Sequence, residues 1–331
     1  MTRDATRPDY ASVNVGFWCE IVLTIETKLT RDRPMSHETK PIPIEPRHMQ
    51  HVVRRYWPLI KSLQTGLLLA TGVAGYLSAV RPAGHWLTLL ALAGSLFLAI
   101  SGSTVLNMAY DRDIDACMKR TCWRPLPTGQ VSVREAVVLG LALSALGVGW
   151  ALATLPLYGA IVFAGLFFDV VVYTIWLKRR TPYSIIFGGL AGGMPVVAGR
   201  ALAVGQIDLV GVMLALGVVF WIPTHIMTFS MRHFDDYNAA GVPTFPAAYG
   251  FYATRVIIAI SSLAAALIMA GVAAAIGTQM DLLWALGALG LGLLALAIIG
   301  IVRPSPRASF TLFKFASVYM LGAMLIVAAT A

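Results

Sequence analysis

From Pro58 onward the chain is almost continuous apolar sequence, cut into runs of about 20 residues by short loops that hold most of its charge. A helix of that length rises about 30 Å, the thickness of a bilayer's hydrocarbon core. No other open structure satisfies its backbone polar groups in lipid. Nine such helices are predicted, near 58–80, 86–109, 134–153, 157–177, 183–203, 208–230, 254–276, 281–302 and 309–330. The expected fold is therefore an all-α integral membrane protein, a bundle of about nine transmembrane helices. Composition agrees: 58% of residues are hydrophobic and 12% charged, about half the charged fraction of a soluble domain. The formal net charge is +9, but the basic residues sit in short clusters between apolar runs. They form no continuous stripe of the kind that tracks nucleic acid. The three cysteines, Cys19, Cys117 and Cys122, have neither zinc-site spacing nor a disulfide framework.

Residues 1–50 lack sustained periodicity and include the Pro-rich stretch Pro41-Ile42-Pro43-Ile44-Glu45-Pro46, so they are expected to form a mobile cytoplasmic tail ahead of a 51–331 transmembrane domain. The apolar stretch Val13–Ile25 contains Glu20 and follows Asp4 and Asp9, which argues against a secretory signal. Glycine seams at Gly188-Gly189, Gly192-Gly193 and Gly287, Gly290 and Gly292 are expected to let helices approach closely.

Lys and Arg near helix ends are retained in the cytoplasm, and here they alternate from loop to loop. One set comprises Arg54, Arg55 and Lys61; Lys119, Arg120 and Arg124; Lys178, Arg179 and Arg180; Arg232 and Arg255; and Arg303 and Arg307. The opposite set has Arg81 and Arg200. The N-terminus is thus expected to be cytoplasmic and the C-terminus outside, with the acidic motifs gathered on the cytoplasmic face.

The first of these motifs closes the second helix: Asn107-Met108-Ala109-Tyr110-Asp111-Arg112-Asp113-Ile114-Asp115. Asn107, Asp111 and Asp115 recur every four residues and share one helical face. Their oxygens suit a hard ion such as Mg²⁺, which is usually held by one or two carboxylates plus substrate phosphates. Asp113 points elsewhere and is expected to meet Arg112, Lys119 or solvent. Lys119, Arg120 and Arg124 follow as candidate anion ligands.

A second cluster closes the sixth helix: His225, then Arg232-His233-Phe234-Asp235-Asp236-Tyr237. Asp235 and Asp236 cannot both face inward; Asp236 is taken as the inward metal ligand. Arg232 is placed either on a diphosphate oxygen or against Asp236. His225, with Tyr237, is a candidate for the acceptor pocket. A third group, Lys178-Arg179-Arg180, caps the fourth helix as a candidate diphosphate site. Asp169 lies inside that helix, where an acid needs a partner or a wet cavity. Tyr173, Arg200, His225 or a water-filled pocket are the options, and Asp169 and Tyr173 join the candidate acceptor pocket.

Carboxylate-bound Mg²⁺ with several Lys and Arg would neutralise a diphosphate leaving group and favour ionisation of an allylic C–O bond. The run from Asn107 to Ser132, NMAYDRDIDACMKRTCWRPLPTGQVS, resembles the first aspartate motif of the UbiA superfamily of intramembrane prenyltransferases. YTIWLKRRTP at 173–182 and DDYNAAGVPTFP at 235–246 resemble its protoheme IX farnesyltransferase (heme O synthase) branch. The resemblance runs from about residue 56 to the C-terminus. It implies nine helices, a first Mg²⁺ site at Asn107, Asp111 and Asp115 and a second at Asp236. It also implies diphosphate held by Lys178 and Arg179 or Arg180, and farnesyl transfer from farnesyl diphosphate to a vinyl group of heme b. The chain departs from that branch at Pro223-Thr224-His225-Ile226-Met227, where the family reads Pro-Pro-His-Phe-Trp, and at Lys61-Ser62-Leu63 and Thr244-Phe245-Pro246. These changes bear on the acceptor, for which a quinone precursor, a chlorin or a glycerol phosphate lipid is the alternative. An ion-coupled transporter using Asp169 is the reading from another class. Such proteins commonly carry internal repeats with broken helices, and no half-to-half repeat stands out here.

Overall fold

A computed structural model describes residues 55–80 and 86–330; the expected tail 1–50, together with Arg54 and Arg81 of the charge pattern, lies outside the described residues. Nine long helices are present among them: α1 (Ser62–Leu77), α2 (Trp86–Tyr110), α4 (Val133–Thr154), α5 (Pro156–Leu177), α6 (Ser184–Val204), α7 (Leu209–Arg232), α9 (Phe245–Ala275), α10 (Met280–Val302) and α11 (Pro306–Thr330). Two short helices, α3 (Arg112–Cys117) and α8 (Phe234–Ala239), follow α2 and α7 on the face that holds the acidic motifs. Eight of the nine are long and apolar enough to cross a membrane. The exception is α1, whose 16 residues span about 24 Å. The predicted first run, 58–80, is divided because Pro58 starts a separate 3-10 turn, Trp57–Ile60, and Lys61 then turns left-handed with φ 43°. The expected start of the seventh helix at 254 also moves. The chain is helical from Phe245, but Gly250, at φ 80°, breaks that helix into two segments, a conformation glycine adopts without steric cost.

Neighbouring helices pack in the circuit α1, α2, α4, α5, α6, α7, α9, α10, α11 and back to α1, while α1 also packs across onto α6. Two apolar cores meet at α6: Val196 belongs to the core with α7, α9, α10 and α11, and Val197 and Ala198 to the core with α1, α2, α4 and α5. The α1–α6 contact is the closest. A Cβ at Gly75 would overlap the Val196 carbonyl, and one at Gly199 the Gly72 carbonyl. Of the expected seams, Gly193 does lie against Ala215, whereas Gly287 faces open space.

Polar clips fix the helix ends. Ser132 and Glu135 form a reciprocal capping box at the start of α4, and Arg55 donates to Glu135 at 3.1 Å. At the opposite end of the bundle Asp208 caps α7 through the Gly211 amide. Arg200 donates to Asp208 at 2.8 Å and to the Ser78 hydroxyl at 2.8 Å. Arg200 is therefore a structural clip between α6, α7 and the end of α1.

Candidate active site

The junction of α2 and α3 bends at Asp111 but keeps helical register. The Asp111 amide donates to the Asn107 carbonyl at 2.9 Å and the Asp115 amide to the Asp111 carbonyl at 2.8 Å. The four-residue spacing therefore carries across the bend. Asp111 and Asp115 are only 5% and 6% exposed, and a buried carboxylate needs a cation. Lys178 donates to Asp111 Oδ2, and Arg124 Nη1 donates to Asp115 Oδ2 at 2.8 Å. Asp111 Oδ1 is buried without a hydrogen bond, with the Arg179 guanidinium 3.9 Å away.

The cations arrive through an irregularity in α5. Its second half, Phe168–Leu177, is a π-helix, and the Lys178 amide closes on the Tyr173 carbonyl at 2.8 Å, five residues back. Widening the turn brings residues five apart onto one face, so Asp169 aligns with Thr174, and Tyr173 with Lys178. Asp169 Oδ2 accepts from Ser103 Oγ at 2.5 Å and Asn107 Nδ2 at 2.7 Å, while Thr174 Oγ1 donates to Asn107 Oδ1 at 2.9 Å. Both ends of the Asn107 amide are thereby held. Asp169 thus takes none of the expected partners Tyr173, Arg200 and His225 in these hydrogen bonds. Its partners lie on α2, where Ser103 and Asn107 are four residues apart and face α5.

Arg179 makes a bidentate pair with Asp113 at 2.6 Å and 2.6 Å and also donates to the Tyr110 carbonyl at 2.9 Å. Asp113 was expected to meet Arg112, Lys119 or solvent; the long return of α5 instead delivers Arg179, which holds the Asp113 carboxyl below its usual range. Lys61 completes the basic ring and was missed as a site residue, since from sequence it counted only as a topology marker. Burial, with Arg124 and Lys178 nearby, outweighs the Asp115 and Asp111 carboxylates and pushes its ammonium down to about 8. Burial opposes the charge of Lys178 too, but the Tyr173 oxygen and Asp111 outweigh it, so Lys178 holds its proton more tightly than a free lysine. Lys119 and Arg180 are exposed on the same face.

The second cluster reaches the first through packing. Ile114 and Met118 form a small apolar core with Val242, against which Tyr237 packs. The Arg120 guanidinium lies 4.9 Å from the Phe229 ring centroid and 6.0 Å from that of Tyr237. Asp235 is exposed, and Asp236 faces His233 at 3.9 Å. Arg232, a candidate for a diphosphate oxygen or for Asp236, lies with its guanidinium 3.9 Å from the Phe310 ring centroid. His225 is stacked between Trp221 and Phe313 at 5.0 Å and 4.5 Å.

No three His, Cys, Asp or Glu side chains converge as a ready-made metal cage among the described residues. The donors do fit Mg²⁺ brought in with a diphosphate. Asp111 keeps one buried oxygen free of hydrogen bonds, Asp115 lies one turn on, and phosphate oxygens would complete the shell. Lys178 now occupies the other Asp111 oxygen, as a cation would.

Residues 68–320 match the UbiA prenyltransferase family. A protein named protoheme IX farnesyltransferase from Korarchaeum cryptofilum is 46% identical over 205 residues, 62% of this chain and 69% of that protein. Another of that name, from Pyrobaculum islandicum, is 38% identical over 263 residues, 79% of this chain and 94% of that protein. Among solved structures, a UbiA homolog from Archaeoglobus fulgidus bound to DMAPP and Mg²⁺ superposes with a TM-score of 0.63 at 18% identity, over 83% of this chain and 99% of that one. At that identity the likeness speaks to the fold.

Proposed function

The chain belongs to the UbiA prenyltransferase family, and from that premise we propose that it transfers the farnesyl group of farnesyl diphosphate to a vinyl group of heme b, giving heme O. The observation that carries the reading is the interleaving of carboxylates and cations on one end of the bundle: Asp111 with Lys178, Asp115 with Arg124, and Lys61 beside them. A polar nest of this kind is costly to bury unless a charged ligand uses it. Diphosphate fits that role.

In this mechanism Lys178, Arg124, Arg179 and Lys61 bind and neutralise the diphosphate, and Asp111 and Asp115 are the residues that would hold Mg²⁺ against it. When bound, Mg²⁺ adds positive charge to the leaving group and so favours its departure. Asn107 is fixed by Asp169 and Thr174, which keeps that face of α2 in register with α5. The C1–O bond of the farnesyl group breaks with its electron pair passing to diphosphate. The vinyl π electrons form the new C–C bond, and water adds to the neighbouring carbon with loss of a proton. The stacked rings Trp221, His225 and Phe313 suit a flat acceptor. Despite the sequence departures around it, His225 keeps aromatic faces on both sides. By the distribution of Lys and Arg, the site lies on the cytoplasmic side.

Purified protein with Mg²⁺, farnesyl diphosphate and heme b is expected to yield heme O, identified by mass. Release of diphosphate with prenylation of a quinone precursor, chlorin or glycerol phosphate lipid, and none of heme b, would replace heme as the acceptor.

A further inference from the structure

On the end of the bundle that carries the acidic motifs, but beyond the carboxylate site, α7, the second segment of α9, the α10–α11 turn and the start of α11 line an open cavity of ≈ 560 Å³. Arg232, Arg255 and Arg307 line it together with the hydroxyls of Ser305 and Ser309, and no acidic side chain lines it. Arg255 Nε is buried without a hydrogen-bond partner. In the sequence these arginines served only as topology markers or, for Arg232, as a diphosphate candidate. Three guanidiniums around one open space repel one another, and an anion with several acceptor oxygens would relieve that repulsion.

An aromatic ladder leads from this cavity towards the diphosphate site. Phe310, in the cavity wall, is near-parallel to Phe313 with ring centroids 6.4 Å apart; the Phe313 and Phe229 centroids are 5.7 Å apart; and the Arg120 guanidinium, on the loop after α3, lies 4.9 Å from the Phe229 centroid. His225 stacks on Phe313 from deeper in the bundle. The geometry thus sets a string of aromatic side chains between two cationic ends. One end, on the loop that also carries Arg124, adjoins the leaving-group site. We propose that the other, the Arg232–Arg255–Arg307 cavity, binds the carboxylates of an acidic tetrapyrrole acceptor, so that its macrocycle lies along the ladder with the reacting edge turned to the farnesyl diphosphate. This inference rests on the heme b reading above. It assigns the cavity to orienting the acceptor, because a ring anchored by its carboxylates presents a defined edge to the diphosphate side.

The test is a titration of the detergent-purified full chain, without prenyl diphosphate, with heme b and with its dimethyl ester, whose carboxylates are capped. Binding is followed in the heme absorbance band. The unaltered protein is expected to bind heme b about tenfold more tightly than the ester. Arg255→Gln with Arg307→Gln is expected to bind the two alike while keeping its KM for farnesyl diphosphate, which also establishes that the variant is folded. Arg255→Lys with Arg307→Lys should recover part of the preference. A preference for heme b that survives the Gln variants, or no preference in the unaltered protein, overturns the assignment. So does a Gln variant whose only change, in nanodiscs, is lost sensitivity to added phosphatidylglycerol, since the cavity would then hold a lipid phosphate. Failure of the unaltered protein to bind or farnesylate heme b at all would sink the heme reading itself, an outcome distinct from intact turnover with unchanged discrimination.

Discussion

Asp169 is the residue whose sequence reading changed most, and the change alters what it is expected to do. A lone acid inside a transmembrane helix reads as an acceptor contact or an ion relay; in the structure it holds the Asn107 amide and the Ser103 hydroxyl. We propose that these bonds make it a positioning residue for the α2 face. Asp169→Ala is therefore expected to lower turnover by about 10- to 100-fold and to raise the Mg²⁺ concentration needed for half-maximal rate. An effect only on heme b affinity would return it to the acceptor pocket. Lys61 supplies a pH signature. Its ammonium, lowered to about 8 by burial and by the neighbouring cations, is charged below that pH and neutral above it. Diphosphate binding uses the charged form, so kcat/KM for farnesyl diphosphate is expected to fall as pH rises through about 8, approaching tenfold per pH unit. Lys61→Arg should remove this alkaline limb, because guanidinium stays protonated. A limb unchanged in that variant would assign it to another group.

At the scale of single elements, the π-helical half of α5 does the most to build the site. An α-helical continuation would turn Lys178 and Arg179 away from Asp111 and Asp113, whereas the five-residue closure from Lys178 to Tyr173 sets Asp169, Thr174 and Lys178 against α2. Deleting Val171 should return the segment to α-helical spacing. The expected result is a protein still inserted in the membrane but with prenyl transfer reduced roughly 100-fold by misplacement of the cations; full activity in a folded deletion variant would deny the π-turn its role. No sequence pattern announced this irregularity, since apart from Asp169 the stretch Phe168–Leu177 is one more apolar run, followed by basic residues. The α2–α3 register, by contrast, was legible, because four-residue spacing of Asn107, Asp111 and Asp115 has one geometric meaning in a helix. Lys61 was illegible for a local reason: Pro58 sits at the start of a separate 3-10 turn, Trp57–Ile60, and Lys61 leaves that turn in a left-handed conformation that the spacing of the apolar run does not reveal.

Across the whole molecule, hydropathy and charge alternation made the nine-helix bundle legible, because lipid leaves a polypeptide few other choices. What they could not supply was the pairing of distant helices, which rests on close backbone approach at Gly75 and Gly199 and on the Arg200–Asp208–Ser78 clip. Orientation follows from the alternation alone and is open to direct trial. Alkaline phosphatase fused after Ala331 is expected to be active, as on the outer side, and the same reporter fused after Arg180 inactive; the reverse pattern would put the site outside. The account as a whole stands on a diphosphate gripped between Asp111 and its neighbouring cations. The measurement that bears on it most directly is calorimetric binding of a non-hydrolysable farnesyl diphosphate analogue to the purified protein, with and without Mg²⁺, compared with Asp111→Ala. Saturable, Mg²⁺-dependent binding that Asp111→Ala loses is the predicted result, and equal binding by both proteins, or binding indifferent to Mg²⁺, would contradict it.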